Sequence, residues 1–71
     1  MKKIIPNIEN IITSRIRFGM TGSGLAKRIG VTRQTICNIE SGNSASPANA
    51  KAICDILEKP FEELFTIEEG E

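Results

Sequence analysis

Residues suited to opening a helix alternate with residues suited to closing one at short intervals along the chain, and no other feature bounds the fold so tightly. Asn7 can cap a first helix that Gly19 stops, and Thr21 a second that ends at Gly30. Thr32 can cap a third that ends at Gly42, Ser46 with Pro47 a fourth, and Pro60 opens a short fifth, "PFEELF". Such caps accept from the first free backbone N–H groups of a helix, and glycine takes the left-handed backbone of a helix exit. Nothing longer than about three turns fits between the stops.

Inside each segment the apolar residues recur at the three- and four-residue spacing of one buried stripe. They are Ile8, Ile11, Ile12 and Ile16 in the first; Leu25, Ala26 and Ile29 in the second; Ile36 and Ile39 in the third; Ala50, Ile53, Cys54 and Leu57 in the fourth. Phe61, Leu64 and Phe65 close the bottom of the core, where Phe18 and Met20 are expected as well. A chain of 71 residues makes one domain, here 1–71 with its core in 7–65. The ends, "KKIIP" and "TIEE", are β-branched and oppositely charged, so segments 1–6 and 66–71 are able to pair as two short strands. The fold class is all-α, five helices with this short β pair.

Net charge is zero, but its distribution is polar: residues 1–39 carry seven Lys and Arg against Glu9 alone, a net +6, and residues 40–71 carry two against eight carboxylates, a net −6. A dipolar chain can show a basic face to phosphate while its acidic end keeps it soluble. With two Cys and no His, neither a disulfide framework nor Cys–His or zinc chemistry is expected, and the reading is a cytoplasmic protein with no metal and no cofactor. Pro6, Asn7, Glu9 and Asn10 interrupt the basic-then-apolar opening short of a signal core or membrane span. No small-molecule ligand is evident, and no catalytic constellation marks an enzyme.

"TGSGLAKR", residues 21–28, has the glycines of a phosphate-cradling loop, yet it follows no predicted strand and lacks the Gly-Lys-Ser/Thr ending of a P-loop. It reads as the first turns of the second helix. Two short helices joined by a tight glycine turn, the second opening Arg-Gln-Thr, form a helix-turn-helix. On its outer side Arg33, Gln34, Cys37 and Asn38 share one face, with Thr35 beside it and Ile36 and Ile39 turned inward. That stripe suits a major groove: Arg bonds guanine, Gln and Asn bond adenine, and a small apolar side chain or a Thr methyl meets the thymine methyl.

Residues 15–42, "RIRFGMTGSGLAKRIGVTRQTICNIESG", resemble the helix-turn-helix of phage Cro and repressor proteins and of the bacterial Cro/C1-type (XRE-like) regulators. The likeness rests on Leu25-Ala26, Gly30-Val31-Thr32, Arg33-Gln34-Thr35-Ile36 and Ile39-Glu40 with Gly42, and runs on to "DILEKPFEELF", covering residues 7–65. It implies a lambda-repressor-like five-helix domain in which helix 33–40 reads bases. It also implies that Arg15 and Glu40 form a structural ion pair rather than touching DNA. Backbone phosphates would be gripped on both sides of the recognition helix, from Thr21, Gly22, Ser23, Arg17, Lys27, Arg28, Thr32 and the loop of Asn43 and Ser44. Where the family usually has a phosphate-bonding Gln, this chain has Gly22, and its loop "GNSASPAN" carries no cation, so modest non-specific affinity is expected.

The expected partner is double-stranded DNA with a palindromic operator, bound by a homodimer whose surface draws on Phe61, Phe65, Ile67 and the terminal strands. The expected function is a sequence-specific transcriptional regulator, a repressor of phage or bacterial origin; the alternative is an antitoxin that binds a toxin protein and its own operator.

Overall fold

The computed structural model describes residues 2–69; Met1, Gly70 and Glu71, which the expected domain and terminal strands also include, lie outside the described residues. The order is β1 (Lys2–Pro6), α1 (Ile8–Arg17), α2 (Gly22–Ile29), α3 (Arg33–Glu40), α4 (Pro47–Leu57), α5 (Phe61–Leu64) and β2 (Phe65–Glu69). Four helices start where the sequence places a cap: Asn7, Thr21, Thr32 and Ser46 each accept from the backbone N–H three residues on. Gly30 closes α2 at φ +79°, and Gly42, at φ +103°, turns the chain just after α3. Glu58 closes α4 in the same left-handed region without being glycine.

The termini do pair. β1 runs antiparallel to β2, with Lys2 opposite Glu69, Ile4 opposite Ile67 and Pro6 opposite Phe65. Pro6 and Phe65 sit where the sheet enters the core, so α5 ends at Leu64, one residue sooner than the sequence pattern suggests. The outer edge of β1 is tied down as well, since Ala45 donates its N–H to the Ile4 carbonyl at 3.0 Å.

Ile11, Leu25, Ile36, Ile53, Leu57, Leu64 and Phe65 are fully buried at the centre, with Ala26, Ile39, Ala50 and Cys54 around them. The first helix departs from the expected stripe. Ile16 is 63% exposed, Ile8 is 37% exposed and Ile12 is half-buried, while Ile11 and Ser14 are the buried residues of α1. The cause is geometric: each four-residue step overshoots a full turn by about 40°, so a ladder of Ile8, Ile12 and Ile16 walks away from the core that Ile11 faces. Phe18 is exposed too, because it lies beyond the last turn of α1 as its C-terminal cap. Met20 and Phe61 are only partly buried against the core, and Phe61 stacks on Phe65 with ring centroids 5.6 Å apart.

Candidate nucleic-acid interface

Three devices hold α3 in place. Its inner face, Ile36 and Ile39, is buried; its N-terminus is capped by Thr32, whose Oγ1 accepts from the Thr35 N–H at 3.3 Å; its C-terminal end is clamped to α1. The clamp is Arg15. Its Nε donates to Glu40 Oε2 at 2.8 Å, its Nη2 to Glu40 Oε1 at 3.2 Å and its Nη1 to the Met20 carbonyl at 3.0 Å, with both charged side chains only 15% exposed. Such a planar, bidentate pairing fixes direction as well as distance. The same guanidinium thereby ties α1, the α1–α2 connection and the end of α3 together.

The opposite face of α3 is open. Arg33, Gln34 and Asn38 are exposed and Cys37 half-buried among them. Gln34 Nε2 donates to Asn38 Oδ1 at 2.9 Å, so two amides one turn apart form a single polar plate. Gln34 keeps its Oε1 as acceptor and a second Nε2 hydrogen as donor, the combination an adenine edge requires. Thr35 stands apart from this plate: it is half-buried and its hydroxyl lies 3.0 Å from that of Thr32. The Cys37 carbonyl accepts from Ser41 Oγ at 2.8 Å, which closes the last turn beneath the plate.

The phosphate candidates divide into two groups and an outlier. Thr21, Gly22 and Ser23 form the first turn of α2, with the Thr21 hydroxyl accepting from the Gly24 N–H at 3.0 Å. A Cβ on Gly22 would meet only Ile36 Cγ2, at an ordinary 3.8 Å, so no steric need for glycine exists there. Lys27 and Arg28 are exposed in the last turn of the same helix. Thr32 is exposed at the start of α3, and Asn43 and Ser44 are exposed just beyond its end, where the Asn43 N–H bonds the Asn38 carbonyl at 3.1 Å. Arg17 is the outlier. Two residues on from Arg15, and hence about 200° round the helix, it is directed away from Glu40 and lines a pocket against α5.

Among the described residues no group of three or more His, Cys, Asp or Glu could hold a metal ion, and no helix is long and apolar enough to cross a membrane. Burial, with Asp55 and Glu62 adding to it, pushes the Cys54 thiol up and keeps it protonated in the core. Phe65, expected at a dimer surface, is fully buried; Phe61, Thr66 and Ile67 are the parts of that end left to face outward around an open apolar groove. Sequence spacing could have found the Gln34–Asn38 plate, an i, i+4 pair of amides. It carries no signal for the contact of Asn10 Nδ2 with the Glu63 carbonyl at 2.9 Å, which joins residues far apart in the chain.

Residues 11–64 match the helix-turn-helix family designated HTH_3. The chain is 39% identical over 56 residues to the uncharacterized HTH-type transcriptional regulator YgzD of Bacillus subtilis (strain 168), covering 78% of this chain and 85% of that protein. Its fold is that of the crystal structure of the transcriptional regulator VanUg (Form II), with a TM-score of 0.73 at 17% identity over 99% of this chain and 93% of the other.

Proposed function

The chain belongs to the helix-turn-helix family of DNA-binding transcriptional regulators, and we propose that within it the protein is a sequence-specific repressor that reads the major groove with Arg33, Gln34, Cys37 and Asn38 of α3. The observation that carries this reading is the Gln34–Asn38 plate beside Arg33, exposed on a helix whose other face and both ends are fixed. A recognition element held this way pays little ordering entropy when it meets a base edge. Thr21, Ser23, Lys27, Thr32, Asn43 and Ser44 flank α3 at both ends and supply phosphate contacts, mostly from hydroxyls, amides and backbone N–H groups. Gly22 leaves the first turn of α2 bare, so Gly22→Gln adds a phosphate contact and strengthens binding to every sequence alike.

One such helix covers few base pairs, and two copies related by a two-fold axis would read half-sites about one DNA turn apart. The outward-facing Phe61 and Ile67, with the terminal sheet, form the surface we assign to that dimer. On this reading, repression works by occupying the promoter.

Selection from a randomised duplex pool at near-physiological salt, with Gln34→Ala in parallel, tests the reading. The native protein should enrich a palindrome, and the variant should lose discrimination at one position in each half-site by about 1–3 kcal/mol, the worth of a bidentate base contact. No enrichment from a folded native protein would overturn it.

A further inference from the structure

Between α1 and α5 lies a pocket of about 290 Å³ that the DNA-reading face does not use. Asn10, Thr13, Ser14 and Arg17 of α1 line one side, and Lys59 and Glu63 the other. No residue of α2 or α3 takes part. Ser14 is the informative member. It is 6% exposed, the one buried polar residue among the described residues, and it occupies the middle of a helix where alanine would pack as well. Its hydroxyl takes part in none of the side-chain hydrogen bonds among the described residues. Yet no fully enclosed polar atom there lacks a partner, so this hydroxyl opens into the pocket.

The charges round it are arranged for an anion. Arg17 makes no ion pair among the described residues, and Lys59 is held only loosely, 3.9 Å from Glu63 Oε2. Asn10 also lines the space, but one hydrogen of its amide is held by the Glu63 carbonyl, which fixes that wall. What remains for a ligand is one guanidinium, one ammonium and two hydroxyls, against one carboxylate, a net charge of +1.

We propose that this pocket binds a small molecule through a single oxyanion group, a carboxylate or a phosphate. Arg17 grips the anion with its planar fork, Ser14 donates from the floor, Thr13 from the rim, and Lys59 closes from the α5 side. The volume is near the lower end of small-ligand sites and several times that of a water, so the occupant is a compact metabolite-sized acid. The inference stands independently of the DNA reading.

The test is a 15N–1H NMR titration of the full chain, without DNA, with inorganic phosphate in one arm and acetate in another at constant ionic strength, sodium chloride being the control. Saturable shifts confined to the amides of Thr13, Ser14, Arg17 and Lys59 are expected in at least one arm, and the arm that saturates names the oxyanion. Ser14→Ala should weaken that binding by about tenfold, the loss of one charge-assisted hydrogen bond. Arg17→Gln, at an exposed position that cannot unfold the core, should abolish it. Shifts that never saturate, that chloride reproduces, that survive Arg17→Gln, or that centre on Arg33 and Lys27 would each overturn the proposal.

Discussion

Between Thr21 and Gly42 almost every junction is made by residues three to five apart: Thr21 with Gly24, Thr32 with Thr35, Gln34 with Asn38, Ser41 with Cys37. The terminal sheet is the reverse. Its rungs join the first residues of the chain to the last, and at its far end Lys2 and Glu69 meet in solvent, whereas Pro6 and Phe65 are buried. The unit to which we assign the reading function is thus specified locally and forms early in any folding sequence that favours short loops, while the sheet can close only after the helices have brought its strands together. Among the described residues the long-range ion pair that anchors α3 is Arg15 with Glu40, and it offers the sharpest way to break the contrast.

Glu40→Ala leaves the Arg15 guanidinium, 15% exposed, without its carboxylate. Removal of one partner from a largely buried pair costs about 3 kcal/mol, which in a domain of this size lowers the thermal midpoint by about 15 °C. The measurement is a melt followed by circular dichroism, and a shift below a few degrees would show that local bonds alone hold α3. Arg15→Ala should cost at least as much as Glu40→Ala, since it strands the Glu40 carboxylate and also releases the Met20 carbonyl; the double variant should show strong coupling between the two.

The same contrast explains what the sequence discloses. Caps, glycine exits and the inward pairs Leu25–Ala26 and Ile36–Ile39 are legible because each is decided within one turn, and the exposed face of α3 follows once the inward residues are known. The orientation of α1 is not legible. Four isoleucines at 8, 11, 12 and 16 offer two overlapping ladders, and the choice between them is made by Ser14 and Arg15, polar residues that apolar periodicity ignores but that Glu40 and the α5 wall accommodate. The pocket is hidden for a related reason. Its two walls, Asn10 to Arg17 and Lys59 to Glu63, come together only through packing, and no residue spacing announces it.

A middle-sized effect sharpens the local side of the comparison. Thr32→Ala removes the side-chain acceptor of the Thr35 N–H and the hydroxyl partner of Thr35 at once. A lost cap of this kind costs about 1 kcal/mol. Because the cap orients the first turn of α3, where Arg33 and Gln34 project, DNA affinity should fall further than the melt alone accounts for. Parallel melts and binding isotherms separate the two; an affinity loss no larger than the stability loss would mean that docking onto α2 and α1, not the cap, sets the direction of the helix.

The smallest effect is expected at the far end of the sheet. Lys2 Nζ lies 3.5 Å from Glu69 Oε1, with the two side chains 69% and 75% exposed. A pair so open to water is worth a few tenths of a kcal/mol at most, since solvent and salt screen the attraction and two long side chains must be ordered to keep it. Lys2→Ala should therefore leave the midpoint within about 2 °C of the native value and remove what little salt dependence the sheet contributes. If the variant instead melted several degrees lower, and the difference grew with protein concentration, the strands would be stabilised by a second copy rather than by this pair. The end of the molecule that looks least constrained in one chain would then be the part that a two-fold partner completes.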